Sequence, residues 1–324
     1  MNRLFERIDN IDSINTLSEQ VCLEYGLGNL HGTKVIEIGY EDFNAIIDTE
    51  TGKYLMKVFR NSRDDEEVKN CINRTAIAGL NNVPTPKVYN NSQNSNFSVI
   101  NIGQSRFRVA LIEYINGENF FDLGQKTTET ELDEIVNIAA KLSEIDFKPY
   151  FIYDTWAITS FCAEFEKKRK YLSREYLELV VPIYEKFKKF DYDSLPKAYV
   201  HGDITSTNLM RDVDNKIWLI DFSVSNYTAR LNEIIVICDD VALITGNKAE
   251  SERRIQHVFD LWCNKVGATD LERDSFKMLF DVANAINIMN SSYEKYTGNT
   301  SDETEMHLNA GLFGLTLFNN EIEY

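Results

Sequence analysis

Three polar side chains stand at fixed offsets within residues 199–226, which read YVHGDITSTNLMRDVDNKIWLIDFSVSN. Asp203 is followed five positions later by Asn208 and, thirteen positions after that, by Asp221. The apolar run 217–220 leads into Asp221, and turn-forming Asp and Asn residues separate this run from the first part of the segment. Such a pattern predicts a pair of strands closed by a turn. We therefore expect the three side chains to converge.

A carboxylate, an amide and a second carboxylate are the groups that phosphoryl transfer requires. One carboxylate accepts the proton of the attacking hydroxyl, while an amide oxygen and another carboxylate hold Mg²⁺ against the nucleotide phosphates. In this interpretation Asp203 is the catalytic base, and Asn208 and Asp221 are the metal ligands. The alternative is an acidic hairpin with a buried His201 and carboxylates that only cap the backbone.

The motif HGD, four further residues and Asn, with IDF downstream, resembles the aminoglycoside phosphotransferase and choline kinase-like family. Protein kinases show the same spacing, but with Arg in place of Gly202 and Gly in place of Ser223. The resemblance covers most of the chain. It implies an α+β, protein-kinase-like fold with two lobes, ATP and Mg²⁺ as cofactors, and a small-molecule hydroxyl acceptor.

Lys57 lies inside an apolar stretch, YLMKVFR, that is predicted to be the third strand of an N-terminal sheet. In the family that the chain resembles, the matching lysine contacts the α- and β-phosphates of the nucleotide. A helix over residues 64–81 should supply a glutamate that orients it. Glu66 and Glu67 stand at the very start of this helix, whereas Asn73 occupies the position expected for the glutamate. The partner of Lys57 is therefore left open.

Two further segments are assigned to the nucleotide through the resemblance. The loop 39–44 falls where kinase-like folds cover the phosphates, although it has only one glycine, so backbone N–H groups would have to bind them. The sequence 113–117 resembles the linker between lobes, where the C=O of Glu113 and the N–H of Ile115 would bind the adenine edge. The alternative is an ordinary strand that ends in a turn.

The periodicity of apolar residues changes along the chain from strand-like to helical. Residues 1–115 predict an N-terminal nucleotide-binding lobe, with a helix over 11–25 and an antiparallel sheet that includes strands 33–38, 45–48, 53–59 and 107–115. Residues 116–324 predict a mainly helical C-terminal lobe that carries the catalytic hairpin 199–226 and the acceptor site. The basic run 167–170 is expected to be a solvated helix face.

Composition restricts the classes of partner. The 324 residues carry a formal net charge of −17, which disfavours nucleic acids and anionic membranes as partners because both are polyanions. No apolar run approaches the roughly 20 residues of a membrane span, and the first ten residues lack the apolar core of a secretion signal. The five cysteines show no paired spacing, so we expect a cytoplasmic protein.

The predicted function is ATP-dependent transfer of the γ-phosphoryl group to a hydroxyl of a small molecule. Aminoglycoside, homoserine, choline-like and sugar acceptors all remain open, as does the oligomeric state. A protein Ser/Thr kinase of the same fold is one alternative, although no Ala-Pro-Glu segment follows Asp221. A nucleotide-binding pseudokinase is the other. His201 is expected to be a hydrogen-bond donor that shapes its loop, and Arg230 is expected to pair with Glu233.

Overall fold

The structure, a computed structural model, describes residues 14–36 and 42–318. Within that part of the chain, no helix is both long and apolar enough to cross a membrane. The chain forms two compact units. Unit 1 comprises residues 1–118 and 211–223, and unit 2 comprises residues 119–210 and 224–324. The segment that contains Asp221 therefore belongs to the same unit as the N-terminal sheet.

Unit 1 contains the predicted antiparallel sheet. Its strands are β1 (Leu30–Ile36), β2 (Phe43–Thr49), β3 (Gly52–Phe59), β4 (Val88–Tyr89), β5 (Ser98–Ile102) and β6 (Ser105–Glu113). The order is β1-β2-β3-β6-β4, with β5 also paired to β6, and every pair is antiparallel. Helix α1 (Ile14–Tyr25) confirms most of the predicted first helix, whose residues 11–13 lie outside the described part of the chain.

The two faces of this sheet are covered by different helices. On one face Met56 and Val58 pack with residues of α1 such as Val21. On the other, Phe59 packs with residues of α2 (Asp65–Leu80), including Val68. Because successive side chains of a strand point to opposite faces, Lys57 lies on the same face as Phe59.

A capping box fixes the start of α2. The side chain of Asp64 accepts a hydrogen bond from the N–H of Glu67, and the Glu67 carboxylate accepts one from the N–H of Asp64. Two backbone donors that have no partner within the helix are satisfied in this way. The helix ends at Leu80, shortly before the two prolines of the sequence VPTP, which cannot continue a helix.

Unit 2 is mainly helical, as predicted. Its helices are α3 (Phe120–Leu123), α4 (Glu129–Ser143), α5 (Phe161–Lys168), α6 (Arg174–Phe187), α7 (Leu231–Ile237), α8 (Lys248–Val266), α9 (Asp270–Tyr296) and α10 (Asp302–Gly314). The long helix α9 packs against α5, α6, α7 and α10. Strands β8 (Lys197–Val200) and β11 (Asn226–Ala229) pair antiparallel, and a π-helical turn, Cys238–Ala242, follows α7.

A small three-stranded sheet has the order β10-β9-β7, formed by β7 (Gly117–Asn119), β9 (Leu209–Asp212) and β10 (Ile217–Leu219). The division between the two units passes through β7 and β9. The N–H of Leu219 also donates to the carbonyl of Pro84, at 2.8 Å. This bond ties the strand before Asp221 to the segment that follows α2.

Gly117 allows the backbones of β7 and β9 to approach each other closely. A Cβ at this position would meet the carbonyl oxygen of Arg211 and would lie 2.8 Å from the Cα of Asp212. Backbone atoms cannot rotate away, so Gly117→Ala should lower the free energy of unfolding by about 1–3 kcal/mol, as overpacking does. Thermal unfolding monitored by circular dichroism measures the change.

The control for this substitution is Gly32→Ala in β1. No heavy atom of a neighbouring residue lies within 4 Å of a Cβ built at Gly32, so the added methyl group meets open space. This variant should unfold within a degree or two of the unmodified protein. Equal effects of the two substitutions would contradict the assignment of close backbone packing at Gly117.

Candidate active site

The loop that carries Asp203 and Asn208 begins where β8 ends. Tyr199 and Val200 of this strand are buried, and β8 is held in register by β11. The next residue, His201, is completely buried, so the loop starts inside the core of unit 2. A rigid strand therefore positions the first residues of the HGD motif.

A buried carboxylate from α7 holds the start of this loop. Glu233, which is 2% exposed, accepts the backbone N–H of His201 at 2.5 Å and that of Gly202 at 3.4 Å. Gly202 has a φ of +84°, a conformation that residues with a side chain rarely adopt. Burial raises the pKa of Glu233 to about 8, although the two N–H donors act in the opposite direction, and the nearby Asp203 raises it further.

Asp203 and Asn208 lie side by side, as the sequence predicts. The amide Nδ2 of Asn208 donates to Oδ2 of Asp203 at 2.7 Å and to its backbone carbonyl at 3.0 Å. The amide oxygen Oδ1 of Asn208 has no hydrogen-bond partner among the described residues. The N–H of Asp203 donates to Nδ1 of His201 at 3.2 Å, so this ring nitrogen accepts a hydrogen bond within the loop.

Two acidic residues of the π-helical turn complete the surroundings of the loop. Asp240 accepts the N–H of Ser206 at 2.6 Å, and Asp239 accepts Nδ2 of Asn287, from α9, at 2.7 Å. Burial raises the pKa of Asp239 to about 7 and also raises the pKa of Asp240. One oxygen of Asp239 is buried without a hydrogen-bond partner.

A second group of charges is found in unit 1 around Lys57. The Nζ atom lies 3.4 Å from Asp42 and 3.9 Å from Asp221, and the Asp42 carboxylate also lies 3.5 Å from the guanidinium of Arg63. Burial works to lower the pKa of Lys57, but the negative charges of Asp221 and Asp42 outweigh it and raise this pKa above its ordinary value. Lys57 is therefore a permanent cation.

Asp42 takes the place of the glutamate that α2 was expected to supply. Glu66 is exposed, Glu67 closes the capping box, and Asn73 accepts a hydrogen bond from Asn96 at 2.6 Å. Asp42 was not predicted as the partner of Lys57, although the strand register could have indicated it. Asn44 is opposite Lys57, and a residue two positions earlier lies on the same face of the strand.

Asp221 follows β10 in a left-handed conformation, with a φ of +61°. Asp tolerates this conformation better than most residues because its short side chain forms local hydrogen bonds. Its Oδ1 accepts the N–H of Ser223 at 3.2 Å, and 47% of its side chain is exposed. The carboxylate is thus accessible, while the backbone around it is held by a turn.

The segment predicted to bind adenine lies at the end of β6. The N–H of Glu113 donates to the carbonyl of Lys87 at 2.8 Å, and its carboxylate accepts the N–H of Lys87 at 3.0 Å. Ile115 follows the strand, and its backbone N–H has no partner among the described residues. Residues 39–41 of the predicted phosphate loop lie outside the described part of the chain.

The expectation for Arg230 is wrong, and the expectation for the basic run 167–170 fails at one residue of the four. Arg230 pairs with Glu272, at 2.8 Å and 3.0 Å, and not with Glu233, whose carboxylate is occupied by the loop backbone. Lys168 of the basic run is buried, and its ammonium group contacts Glu164 at 2.8 Å, whereas Lys167, Arg169 and Lys170 are exposed as expected. The partner of Arg230 comes from a distant helix, whereas Glu164 lies four residues before Lys168 on the same helix.

The sequence model of a phosphotransferase enzyme family, APH, matches residues 32–261. This range contains the HGD loop, Lys57 and Asp221. None of the curated proteins compared with the chain matches it in sequence. The family match confirms the resemblance that the motif indicates.

Several solved structures share the fold over almost the whole chain. An amicoumacin kinase in complex with AMP-PNP, Ca²⁺ and Ami is 12% identical, with a TM-score of 0.67 over 94% of this chain and 93% of the other. A spectinomycin phosphotransferase with ADP and spectinomycin is 15% identical, with a TM-score of 0.60 and 94% coverage of both chains.

A choline/ethanolamine kinase family protein from Mesorhizobium loti is 12% identical, with a TM-score of 0.61 and 93% coverage of both chains. At these identities the likeness establishes the fold alone. The predicted α+β, protein-kinase-like fold is thereby confirmed.

The raised pKa of Glu233 predicts a pH-dependent stability. Between its usual value of 4.5 and about 8, the folded protein keeps a proton that the unfolded chain has released. The corresponding stabilisation is complete below pH 4.5 and is lost as the pH rises to 8. The side chain of Glu233→Gln stays neutral at every pH. The free energy of unfolding of this variant, relative to that of the unmodified protein, should therefore rise by roughly 1–3 kcal/mol between pH 5 and pH 8, as measured by urea unfolding.

Glu175→Gln is the control, because Glu175 is an exposed residue at the start of α6. It measures the effect of removing a surface carboxylate on the free energy of unfolding. The opposite trend for Glu233→Gln, a variant that loses stability relative to the unmodified protein as the pH rises, would show that Glu233 is ionised in the folded state.

Proposed function

Because the chain belongs to the phosphotransferase enzyme family, we propose that it transfers the γ-phosphoryl group of ATP to a hydroxyl group of a small molecule. The observation that carries this proposal is the hydrogen-bonded pair of Asp203 and Asn208 on a loop anchored by Glu233. In a hairpin whose acids only cap backbone groups, Asn208 would not need to bind the Asp203 side chain. Here Asn208 fixes the orientation of the Asp203 carboxylate and leaves its own amide oxygen available.

Asp203 is the proposed catalytic base. The acceptor hydroxyl attacks the γ-phosphorus, the bond between that phosphorus and the bridging oxygen of ADP breaks, and Asp203 receives the hydroxyl proton. Because Asn208 binds one oxygen of the carboxylate, Asp203 keeps the orientation that proton transfer requires. The anchoring of the preceding residues by Glu233 positions the whole loop.

Asn208 and Asp221 are the proposed ligands of Mg²⁺. The amide nitrogen of Asn208 is occupied by Asp203, which leaves its oxygen for a cation, and the Asp221 carboxylate is half-exposed. Among the described residues, no group of three or more His, Cys, Asp or Glu could hold a metal ion. Protein Mg²⁺ sites often combine one or two protein oxygens with substrate phosphates. When bound, the ion would neutralise charge on the phosphate oxygens.

Lys57 is the proposed phosphate-binding cation, and Asp42 is proposed to position it. The attraction between these two charges holds the ammonium group of Lys57 on the face of β3 that also carries Phe59. Arg63 shares the same carboxylate, so a second cation stands beside the first. Glu113 and Ile115 are the proposed adenine contacts, through the carbonyl of the former and the N–H of the latter.

A small-molecule acceptor is preferred to the protein Ser/Thr kinase alternative. The structural neighbours are named as kinases or phosphotransferases of amicoumacin, spectinomycin and choline or ethanolamine. We keep residues 1–115 and 116–324 as the proposed functional lobes, with catalysis at the hairpin 199–226. We place the protein in the cytoplasm, in keeping with its five unpaired cysteines, and we propose neither nucleic acid nor membrane as a partner.

Replacing the proposed base tests the reaction directly. Asp203→Asn should lower kcat for ATP-dependent phosphorylation by about 10²–10⁴-fold, because the amide cannot accept the hydroxyl proton. Thermal stabilisation by ATP and Mg²⁺ should persist. Asp193→Asn, which removes an exposed carboxylate paired with Lys197, is the control. Full activity of Asp203→Asn would refute the role of Asp203 as the catalytic base. If the unmodified protein binds ATP but transfers no phosphoryl group, it is a pseudokinase.

Asp42→Asn tests whether Asp42 positions Lys57. The neutral side chain no longer attracts the ammonium group, so kcat/KM for ATP should fall about tenfold while KM for the acceptor stays constant. Asp48→Asn in β2, the strand that follows Asp42, is the matched control, because Asp48 forms an exposed ion pair with Lys53 at 3.7 Å. Unchanged or improved kcat/KM for ATP in Asp42→Asn would remove Asp42 from the nucleotide site.

A further inference from the structure

The charges around Lys57 include one cation that has no role in the proposed reaction. Lys57 and Arg63 both lie beside Asp42, with Nζ and Nη1 at 3.4 Å and 3.5 Å from the same oxygen, Oδ2. Asp221 adds a second carboxylate, 3.9 Å from Nζ of Lys57. We name these four side chains the charged cluster, and all of them belong to unit 1.

A short turn after β3 places Arg63 in the charged cluster. The N–H of Arg63 donates to the carbonyl of Arg60 at 3.1 Å, and the N–H of Arg60 donates to Oδ1 of Asp42 at 3.2 Å. On its other side, Nη1 of Arg63 donates to the sulfur of Cys71, in α2, at 3.4 Å. Only 13% of the Arg63 side chain is exposed, close to the 15% of Lys57. The two cations are therefore equally buried and held in place.

The ion pairs of Asp42 are looser than those of Asp65, which lies in the same unit. Asp65 accepts hydrogen bonds from Arg106 and Arg108, both at 2.6 Å. Oδ2 of Asp42 is buried and accepts no hydrogen bond from any described residue, although two cations lie within 3.5 Å of it. Asp42 thus attracts both cations without a hydrogen bond at Oδ2 that must break before they bind another anion.

The charge balance of the cluster depends on Asp221. Two positive and two negative side chains balance each other in the structure. If Asp221 is a metal ligand, its charge is shared with the ion, and only Asp42 remains to offset the two cations. Burial and the positive charge of Arg63 both work to lower the pKa of Lys57, so the cations repel each other. A further anion beside them is therefore favourable.

A phosphate chain is the anion that matches this pair of cations. An ammonium group is a compact point charge, whereas the planar guanidinium presents a fork of N–H donors that fits two oxygens of one phosphate. Lys57 is already the proposed phosphate-binding residue, and Arg63 shares its carboxylate. The nucleotide carries several negative charges on adjacent phosphates, so one cation alone would leave most of them without a partner.

We propose that Arg63 is a second phosphate-binding residue of the nucleotide site, where it binds the phosphates that are not transferred, together with Lys57. This inference rests on the proposed function. Asp42 holds both cations in position before the nucleotide binds. Arg63 contacts phosphate and not the adenosine part, so its contribution depends on the number of phosphates in the ligand.

Calorimetric titration with ADP, AMP and adenosine, each in the presence of Mg²⁺, measures this dependence. Arg63→Met should raise Kd for ADP about tenfold and Kd for adenosine less than twofold, with AMP between them, because adenosine has no charge for the guanidinium to bind. Arg63→Gln keeps hydrogen-bond donors but not the charge, and it should raise Kd for ADP at least about fivefold. Kd for ADP should also become less sensitive to salt in both variants.

Arg106→Met is the matched control for the loss of a positive charge. Arg106 is 52% exposed and lies outside the charged cluster, in β6 of the same unit. Its partner Asp65 is also bound by Arg108, so α2 keeps a contact with the sheet in this variant. Kd for ADP should be the same in Arg106→Met and in the unmodified protein.

A double variant distinguishes phosphate binding from a role in which Arg63 only holds Asp42. If Arg63 acts through Asp42 alone, Arg63→Met has no further effect once Asp42→Asn has removed the negative charge. Direct binding predicts that the double variant binds ADP at least about threefold more weakly than Asp42→Asn. Absence of this further loss would overturn the proposal. Arg63→Gln replaces Arg63→Met in the same comparison if the methionine variant does not fold.

The binding measurements also separate this inference from the proposed function. A Kd for ADP that depends on Arg63 supports the inference even if no acceptor is phosphorylated. Equal Kd values for ADP in Arg63→Met and in the unmodified protein would overturn the inference while the phosphotransferase reaction stands. An unmodified protein that binds no nucleotide would overturn both.

Discussion

The conformation of the HGD loop depends on one buried carboxyl group that lies about thirty residues further along the chain. Glu233 binds consecutive backbone N–H groups at the point where β8 ends, and Gly202 supplies the left-handed conformation that brings both donors to it. Backbone donors inside a protein must find acceptors, so α7 and the loop can only adopt their structures together. The orientation of Asp203 is a consequence of this packing.

The charges around Lys57 show a different solution to a similar problem. A buried ammonium group needs a nearby anion, but a helix is not the only element that can supply one. Here the anion is Asp42, the residue immediately before β2, and it is shared by Lys57 and Arg63. Helix α2 therefore uses Glu67 for its own capping box.

Local patterns were sufficient to predict the sheet, the helical half and the pairing of Asp203 with Asn208, because alternation, helical periodicity and a five-residue spacing are written in neighbouring positions. The partners of Arg230 and the burial of Lys168 could not be predicted. Both depend on residues more than forty positions away, Glu272 in one case and Asn290 in the other. The acid that pairs with Lys168, Glu164, lies four residues earlier on the same helix, but the burial of this pair depends on the distant Asn290.

The order in which the chain enters its two units limits how unit 1 can be exchanged between related proteins. Unit 1 is discontinuous, since residues 211–223 join it after the chain has built more than ninety residues of unit 2. Cutting the gene at one point cannot yield a complete copy of unit 1, so its exchange between relatives requires a double crossover or a permuted chain. Recombination in this family should then preserve β7 and β9, the strands in which the chain passes from one unit to the other.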